Sequence, residues 1–219
     1  MIGNAAYPDA PLRNAVNDAT DVAALLRQLG FTVTLLRDAS QRNMEEGIRT
    51  FTSGAPRGSV GLFYFSGHGA QLEGLNYIVP IGAKLGGTSD VKFQTVAADW
   101  VLARMDEAGM GVKLLILDAC RNNPFGRSWT RTLSRGLASM DAVEGCLIAY
   151  ATSPGKVADD GTGRNSPYTK HLLLQLRVPG QPVELLFKAV RMAVRQETQS
   201  RQTPWEASSL TGEFYFVRQ

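Results

Sequence analysis

Leu114-Leu115-Ile116-Leu117-Asp118-Ala119-Cys120-Arg121-Asn122-Asn123-Pro124-Phe125 is a run of four aliphatic residues that breaks abruptly into small and polar ones. An uninterrupted apolar run describes a strand buried on both faces, as in a parallel sheet. Asp118 and Cys120 then sit where that strand emerges at its carboxyl end. Val60-Gly61-Leu62-Phe63-Tyr64-Phe65 has the same build and ends in Ser66-Gly67-His68-Gly69. With the two strands parallel in one sheet, His68 and Cys120 come out at the same edge, which is where open α/β sheets bind ligands. A thiol and an imidazole would then face each other across a cleft.

The rest of the chain alternates helix and strand around these two runs. Val22, Leu25, Leu26 and Leu29 recur at helical spacing and Gly30 stops the pattern, so a helix is expected from about Asn14 to Leu29. Asp18 belongs to its apolar face, in the first turn or two, and should point toward the rim that holds His68 and Cys120. Phe31 to Leu36 alternates apolar residues with Thr and reads as a strand. Ser40 can cap a helix carrying Met44, Ile48 and Phe51 inward. Leu72, Gly74 and Tyr77-Ile78-Val79-Pro80 suggest a short hairpin, and Ala97 to Met105 a helix. Arg121 to Asp141 reads as a long exposed loop, a length uncommon unless functional. Cys146 to Tyr150 reads as a core strand, and Thr152 to Arg164 as a second loop. Ser166-Pro167 is a cap followed by proline at the first helical position, opening a helix with Leu172, Leu173 and Leu176 inward. A last helix carries Leu186, Val190 and Ala193, and Phe214 to Val217 reads as a closing strand.

Composition narrows the function. A chain of 219 residues with 44% hydrophobic content buries a full core, and no composition shift or Pro/Ser-rich linker divides it. The formal charge is +3 with Lys and Arg scattered, which lacks the clustered footprint of a nucleic-acid or anionic-membrane partner. No apolar run approaches the roughly 18 residues of a membrane span and no signal peptide opens the chain, so a cytoplasmic location is expected. Two cysteines do not make a disulfide scaffold, and Cys146 inside an apolar run reads as an inert small hydrophobe.

Ser66-Gly67-His68-Gly69 and Asp118-Ala119-Cys120-Arg121, with the Cys about 50 residues after the His, resemble the caspase-like cysteine peptidases. The resemblance covers nearly the whole chain. Leu12-Arg13-Asn14-Ala15-Val16-Asn17-Asp18-Ala19 is similar to the first-helix motif of the metacaspase and bacterial orthocaspase branches. Gln202-Thr203-Pro204-Trp205 and Ser208-Ser209-Leu210 resemble the tail of bacterial members. Two departures stand out. Animal caspases carry Gln where this chain has Asp118, which inverts the charge of the specificity pocket, and Asn122 replaces the Gly that usually closes their pentapeptide.

The resemblance implies a three-layer α/β caspase-like fold, with a mainly parallel central sheet of about six strands and helices on both faces. Residues 1–219 would form one peptidase domain whose first strand, at Met1-Ile2-Gly3-Asn4, is truncated. It also implies a cysteine endopeptidase that cuts after Arg or Lys through a Cys-His dyad and a thioacyl-enzyme. Cys120 would be the nucleophile, His68 the proton carrier, and the backbone amides of Cys120 and Gly69 the oxyanion donors. Asp18, Ser66 and Asp118 would line the pocket for the residue before the cut. From the residues alone, Asp118 reads equally as a carboxylate bonding loop amides, and Asp18 as a charge at a helix start.

No cofactor or metal is expected. Some metacaspases are calcium-activated, but Asp159 and Asp160 in a Gly loop fall short of the six or more oxygens a calcium site takes. The expected partner is a peptide or protein with Arg or Lys before the cut, acted on by a monomer. His171, within a Leu-rich helix, is expected to be structural. An enzyme cutting after Arg would have its own substrate in Arg127, Arg131 and Arg135, which predicts self-cleavage. The rival reading is a catalytically silent interaction module that keeps the fold; intact His68 and Cys120 favour the enzyme.

Overall fold

Two long strands form the centre of the sheet: β3 (Val60–Leu72) and β6 (Val112–Cys120), parallel and in register from Val60 opposite Val112 to His68 opposite Cys120. The structure, a computed structural model, describes residues 1–120, 137–138, 140, 143–153, 156 and 158–219, and of Cys120 only its place in the strand. Most of the expected 121–141 loop, including Arg127, Arg131 and Arg135, therefore lies outside the described residues.

Around this pair the strand order is β2-β1-β3-β6-β7-β8, where β1 is Ile2–Gly3, β2 Leu36–Arg37, β7 Cys146–Tyr150 and β8 Trp205–Ser208. All neighbours are parallel except β8, which runs antiparallel to β7. The chain moves outward from β1 to β2 and returns to β3 on the other side of β1. The carboxyl ends of β1 and β3 therefore flank a switch point of the kind at which open α/β sheets bind ligands.

Helices cover both faces. On one side α1 (Ala15–Gln28), α5 (Pro167–Gln175) and α6 (Val183–Glu197) pack over Leu62, Tyr64, Leu114, Ile116 and Leu147. On the other, α2 (Gln41–Ser53) and α4 (Ala98–Glu107) pack over Phe63, Phe65, Leu115, Leu117 and Ile148. Each such side chain stabilises by about 1.5–3 kcal/mol when fully buried. A one-residue slip of either strand would swap the two sets between faces, so the register is strongly specified. The same alternation carries Ser66, two residues beyond Tyr64, and Asp118, two beyond Ile116, onto the α1 and α5 side.

Local signals set the helix ends. The Ser40 side chain caps α2 by accepting from the Asn43 N–H at 3.4 Å, and the Ser166 side chain caps α5 by accepting from the Thr169 N–H at 2.9 Å. The hairpin turns on Glu73 and Gly74, at φ 54° and 81°, the paired positive φ of a tight hairpin turn. It leads to β4 (Leu75–Ile78), antiparallel to β3, and then to α3 (Thr88–Gln94) and β5 (Val96–Ala97), neither of which the sequence pattern announced. Among the described residues no helix is long and apolar enough to cross a membrane.

Two expected strands differ. Of Phe31 to Leu36 only Leu36 enters a ladder, opposite Ile2 of β1, and the Met1 amino group donates to the Thr34 carbonyl at 2.9 Å. Phe214 to Val217 forms a single bridge, Tyr215 to Pro182, since β8 occupies the place beside β7. Phe214 and Phe216 pack edge to face instead, with ring centroids 4.9 Å apart.

Gly3 is where α1 and the sheet come closest. A Cβ there would lie 2.4 Å from the Ala15 carbonyl oxygen and 2.8 Å from the Ala19 Cβ. Gly3→Ala should therefore push α1 off the sheet, at about 1–3 kcal/mol, and lower the Tm by several degrees. An unchanged thermal unfolding curve would contradict this packing.

Candidate active site

The last rungs of the central ladder place Ser66 opposite Asp118, Gly67 opposite Ala119 and His68 opposite Cys120. Neighbouring strands lie about 4.8 Å apart, so the backbones of the candidate base and nucleophile are adjacent at one sheet edge. The two residues that the sequence set about 50 positions apart thus share the final rung.

His68 is buried and held from several directions. Its Nε2 lies 2.7 Å from the Ala10 carbonyl oxygen. A carbonyl only accepts, so this contact assigns a proton to Nε2 and, in the neutral ring, the lone pair to Nδ1. The Tyr7 ring lies against the imidazole, centroids 4.3 Å apart at 52°. The Tyr7 hydroxyl accepts from the His68 backbone N–H at 3.1 Å and donates to the Val79 carbonyl at 2.8 Å, while the Val79 N–H donates to the His68 carbonyl at 2.9 Å. The hydroxyl is thus spliced into the rung between His68 and Val79. Gly67 makes room for it: a Cβ there would meet the Tyr7 hydroxyl at 2.7 Å and the Phe65 ring at 2.6 Å. Because His68 and Val79 form a hydrogen-bonded position, Gly69 opposite Ile78 is a non-bonded one, and its N–H faces away from β4, toward β6.

Behind this edge lies a closed acidic cluster. Asp18, Ser66 and Asp118, named from three separate stretches, come together with Tyr64, Ser166 and Thr169, and all six are buried. Asp18 accepts from the Ser66 hydroxyl at 3.3 Å and from the Ser166 backbone N–H at 3.1 Å. Asp118 Oδ2 accepts from the Ser166 hydroxyl at 2.5 Å and the Thr169 hydroxyl at 2.7 Å, with the Tyr64 hydroxyl at 3.5 Å. Tyr64 and Thr169 share a further hydroxyl contact of 2.6 Å. Burial raises both carboxyls well above the ordinary range, Asp18 the further because the negative charge of Asp118 adds to it. Hydrogen bonds from Ser166 and Thr169 pull Asp118 partly back.

The other candidates are placed elsewhere. Asp160 spends its carboxylate on the backbone N–H groups of Arg13, at 2.6 Å, and Asn14, at 3.2 Å, and so pins the start of α1; Asp159 accepts from the Gly161 N–H at 2.8 Å. His171 joins α5 to α6 through Glu197 at 2.6 Å. Cys146 is buried within β7, and burial pushes its thiol up to about 12. Of the residues that complete the site, Ser166 was legible as a helix cap and Tyr64 as a core residue, but neither pattern shows that their hydroxyls meet a carboxylate. Tyr7 and Ala10 lie in an irregular segment that carries no periodic signal.

Comparison with known proteins bears on the family of the chain. A caspase-domain family model matches residues 1–215. The chain is 31% identical over 159 residues, 72% of its length, to the mucosa-associated lymphoid tissue lymphoma translocation protein 1 of Homo sapiens. Its Mus musculus homolog matches over the same extent and at the same identity. The chain spans 18% of the length of these relatives. Both are mammalian, so they support the family without singling out its bacterial branch.

The buried acids make stability depend on pH in a stated direction. A carboxyl raised in the folded state binds more protons there than in the unfolded chain, so its contribution is full below the unfolded value near 4 and is lost as pH rises through the folded one. For Asp18 that window runs up to about 8. Asp18→Asn should flatten this fall and, at pH 8, be the more stable protein by about 1–2 kcal/mol, or about 2–8 °C in Tm. Parallel Tm curves for the two proteins between pH 5 and 8 would show that Asp18 is not a desolvated acid.

Proposed function

Because the chain belongs to the caspase family of cysteine-type peptidases, we propose that it is an endopeptidase cutting after Arg or Lys through Cys120 and His68. One observation carries the specificity: two buried carboxylates, Asp18 and Asp118, whose described hydrogen-bond donors are all neutral. Among the described residues no cation of the kind buried carboxylates ordinarily take bonds to either one, and Arg164, which feels the charge of Asp18, is bonded to Asp21 instead. A guanidinium or ammonium group from a substrate supplies that cation.

In this reading the Cys120 thiolate attacks the scissile carbonyl carbon, and the carbonyl electrons move onto oxygen, which the backbone amides of Gly69 and Cys120 stabilise. Collapse breaks the C–N bond, leaving a thioester on Cys120, and the imidazolium of His68 gives its proton to the departing amine. Water then attacks the thioester, its proton passing to His68, and the carboxylic acid product and the thiol are released. Three features support the roles. The Ala10 carbonyl fixes the tautomer that leaves Nδ1 as base; the final rung sets His68 beside Cys120; and the Gly69 N–H faces β6. A free thiol titrates near 8.5, so the neighbouring imidazole is what populates thiolate at neutral pH.

Cys120→Ala and His68→Ala should each abolish turnover of an Arg peptide while the thermal transition persists, and Cys146→Ala should retain it. Activity surviving in Cys120→Ala would remove the dyad; a folded wild type inert on every peptide would favour the silent interaction module. Asp118→Ala, which strips one partner from a buried charge pair, should lower kcat/KM for Arg and Lys peptides by about thirtyfold or more. Preference of the wild type for Asp before the cut would overturn the acidic-pocket reading. The same specificity, with Arg127, Arg131 and Arg135 in the segment after the nucleophile, supports self-cleavage. Mass spectrometry of wild type and Cys120→Ala stored at neutral pH should show fragments ending at one of these arginines in the wild type alone. An intact wild type that cleaves Arg peptides would refute it.

A further inference from the structure

Ser166 commits its backbone N–H and its hydroxyl to the acidic cluster, while its carbonyl accepts from the Lys170 N–H at 2.9 Å within α5. Its backbone N–H donates to Asp18 at 3.1 Å, its hydroxyl donates to Asp118 at 2.5 Å, and its oxygen accepts from the Thr169 N–H at 2.9 Å. Capping α5 requires only the last of these. The other two fasten one residue to both carboxylates at once, one brought by α1 and the other by β6.

The backbone around Ser166 holds that aim. Pro167 follows it and disfavours the helical region for Ser166, which sits at φ −57° and ψ 154°. The preceding residues are tied to α1 as well: Asn165 donates to Asp21 at 3.0 Å, and Arg164 donates two hydrogen bonds to the same carboxylate, at 2.8 and 2.7 Å. Ser166 is 2% exposed, so water does not replace its hydroxyl if that group is removed.

We infer that Ser166 is a positioning residue for the specificity pocket, setting the distance and orientation of Asp18 and Asp118 so that together they receive one basic side chain. The inference rests on the reading of these acids as the pocket for Arg or Lys. Ser166 touches the carboxylates and acts on substrate through them. Loss of its hydroxyl leaves Asp118 to Thr169 and Tyr64, which lets the carboxylate turn and removes a donor that favours its ionised form. Among the described residues, the titratable and charged groups that act on the pair are Tyr64 on β3, Asp160 and Arg164 in the connection before α5, and Tyr168 on α5. None of these is altered by a substitution at 166.

The test compares Ser166→Gly with wild type, Ser166→Thr and Ser40→Gly on peptides with Arg before the cut. Glycine is tolerated at a helix N-cap at a few tenths of a kcal/mol, so Ser166→Gly removes the hydroxyl with little else. Ser40→Gly makes the equivalent change at the α2 cap, away from the acids. For Ser166→Gly, KM should rise about tenfold with kcat within about twofold, as for one lost hydrogen bond to a charged group. The acid limb of its kcat/KM profile should move up by about one pH unit, since Asp118 holds its proton longer. Ser166→Thr, which keeps a hydroxyl, should restore KM to within about threefold of wild type. Ser40→Gly should match wild type in both KM and pH profile. If glycine at 166 prevents folding, Ser166→Ala is read in the same way. A wild type that does not cleave after Arg or Lys overturns the pocket itself. A wild type that does, with Ser166→Gly indistinguishable from Ser40→Gly, overturns the role of Ser166 alone.

Discussion

The parallel pairing of β3 with β6 is the constraint from which the site follows. Neither strand end is chemically unusual alone: one carries a glycine-flanked imidazole, the other an acid and a thiol. In-register pairing from Val60 to His68 turns them into opposed rows, Ser66 to Asp118 and His68 to Cys120. The register is held by burial far from the chemistry, since Leu62 and Tyr64 face one helical layer while Phe63 and Phe65 face the other. A slip that broke the site would also turn the core inside out. The facing of these rows is thereby fixed by the buried centre of the sheet, while Tyr7, Ala10 and Ser166, which finish the candidate site, come from connections at the sheet edge.

Those connections explain what was and was not legible in the sequence. Unbroken apolar runs announced the central strands, heptad-like recurrence announced α1, and Ser40 and Ser166 announced the starts of α2 and α5, because each signal is local and physically obligatory. The approach of Asp18 to Ser66 and Asp118 was legible for the same reason, as a carboxylate on the apolar face of a helix. Tyr7, Ala10 and the second role of Ser166 were not, since they depend on which loop crosses which strand end. Phe214 to Val217 shows where alternation misleads: it describes a segment able to pair, but β8 holds the place beside β7, and the Phe214 and Val217 carbonyls accept instead from the Val183 and Gly180 N–H groups.

The acidic cluster sets stability against function. Two carboxylates shut away from water, near enough for one to raise the other, are costly in the empty protein, and the hydroxyls of Ser66, Ser166, Thr169 and Tyr64 offset only part of that cost. A hydrophobic or amide replacement would satisfy the fold better. On the proposed reading the arrangement is stored electrostatic free energy that a cationic side chain would release on binding, which would tie selectivity for Arg or Lys to the same groups that make this corner of the core unfavourable. It also implies that the pair enters the complex partly protonated and leaves its proton to the solvent when the cation arrives.

That last step gives the most direct measurement of the account. Calorimetric titration of the Cys120→Ala protein near pH 7, in two buffers of different ionisation enthalpy, compares a peptide carrying Arg with its citrulline counterpart, which has the same shape without the charge. The account predicts that the Arg peptide binds with net proton release, and that the citrulline peptide binds at least about tenfold more weakly without it. Equal affinity for the two peptides, or Arg binding with no proton released, would contradict it.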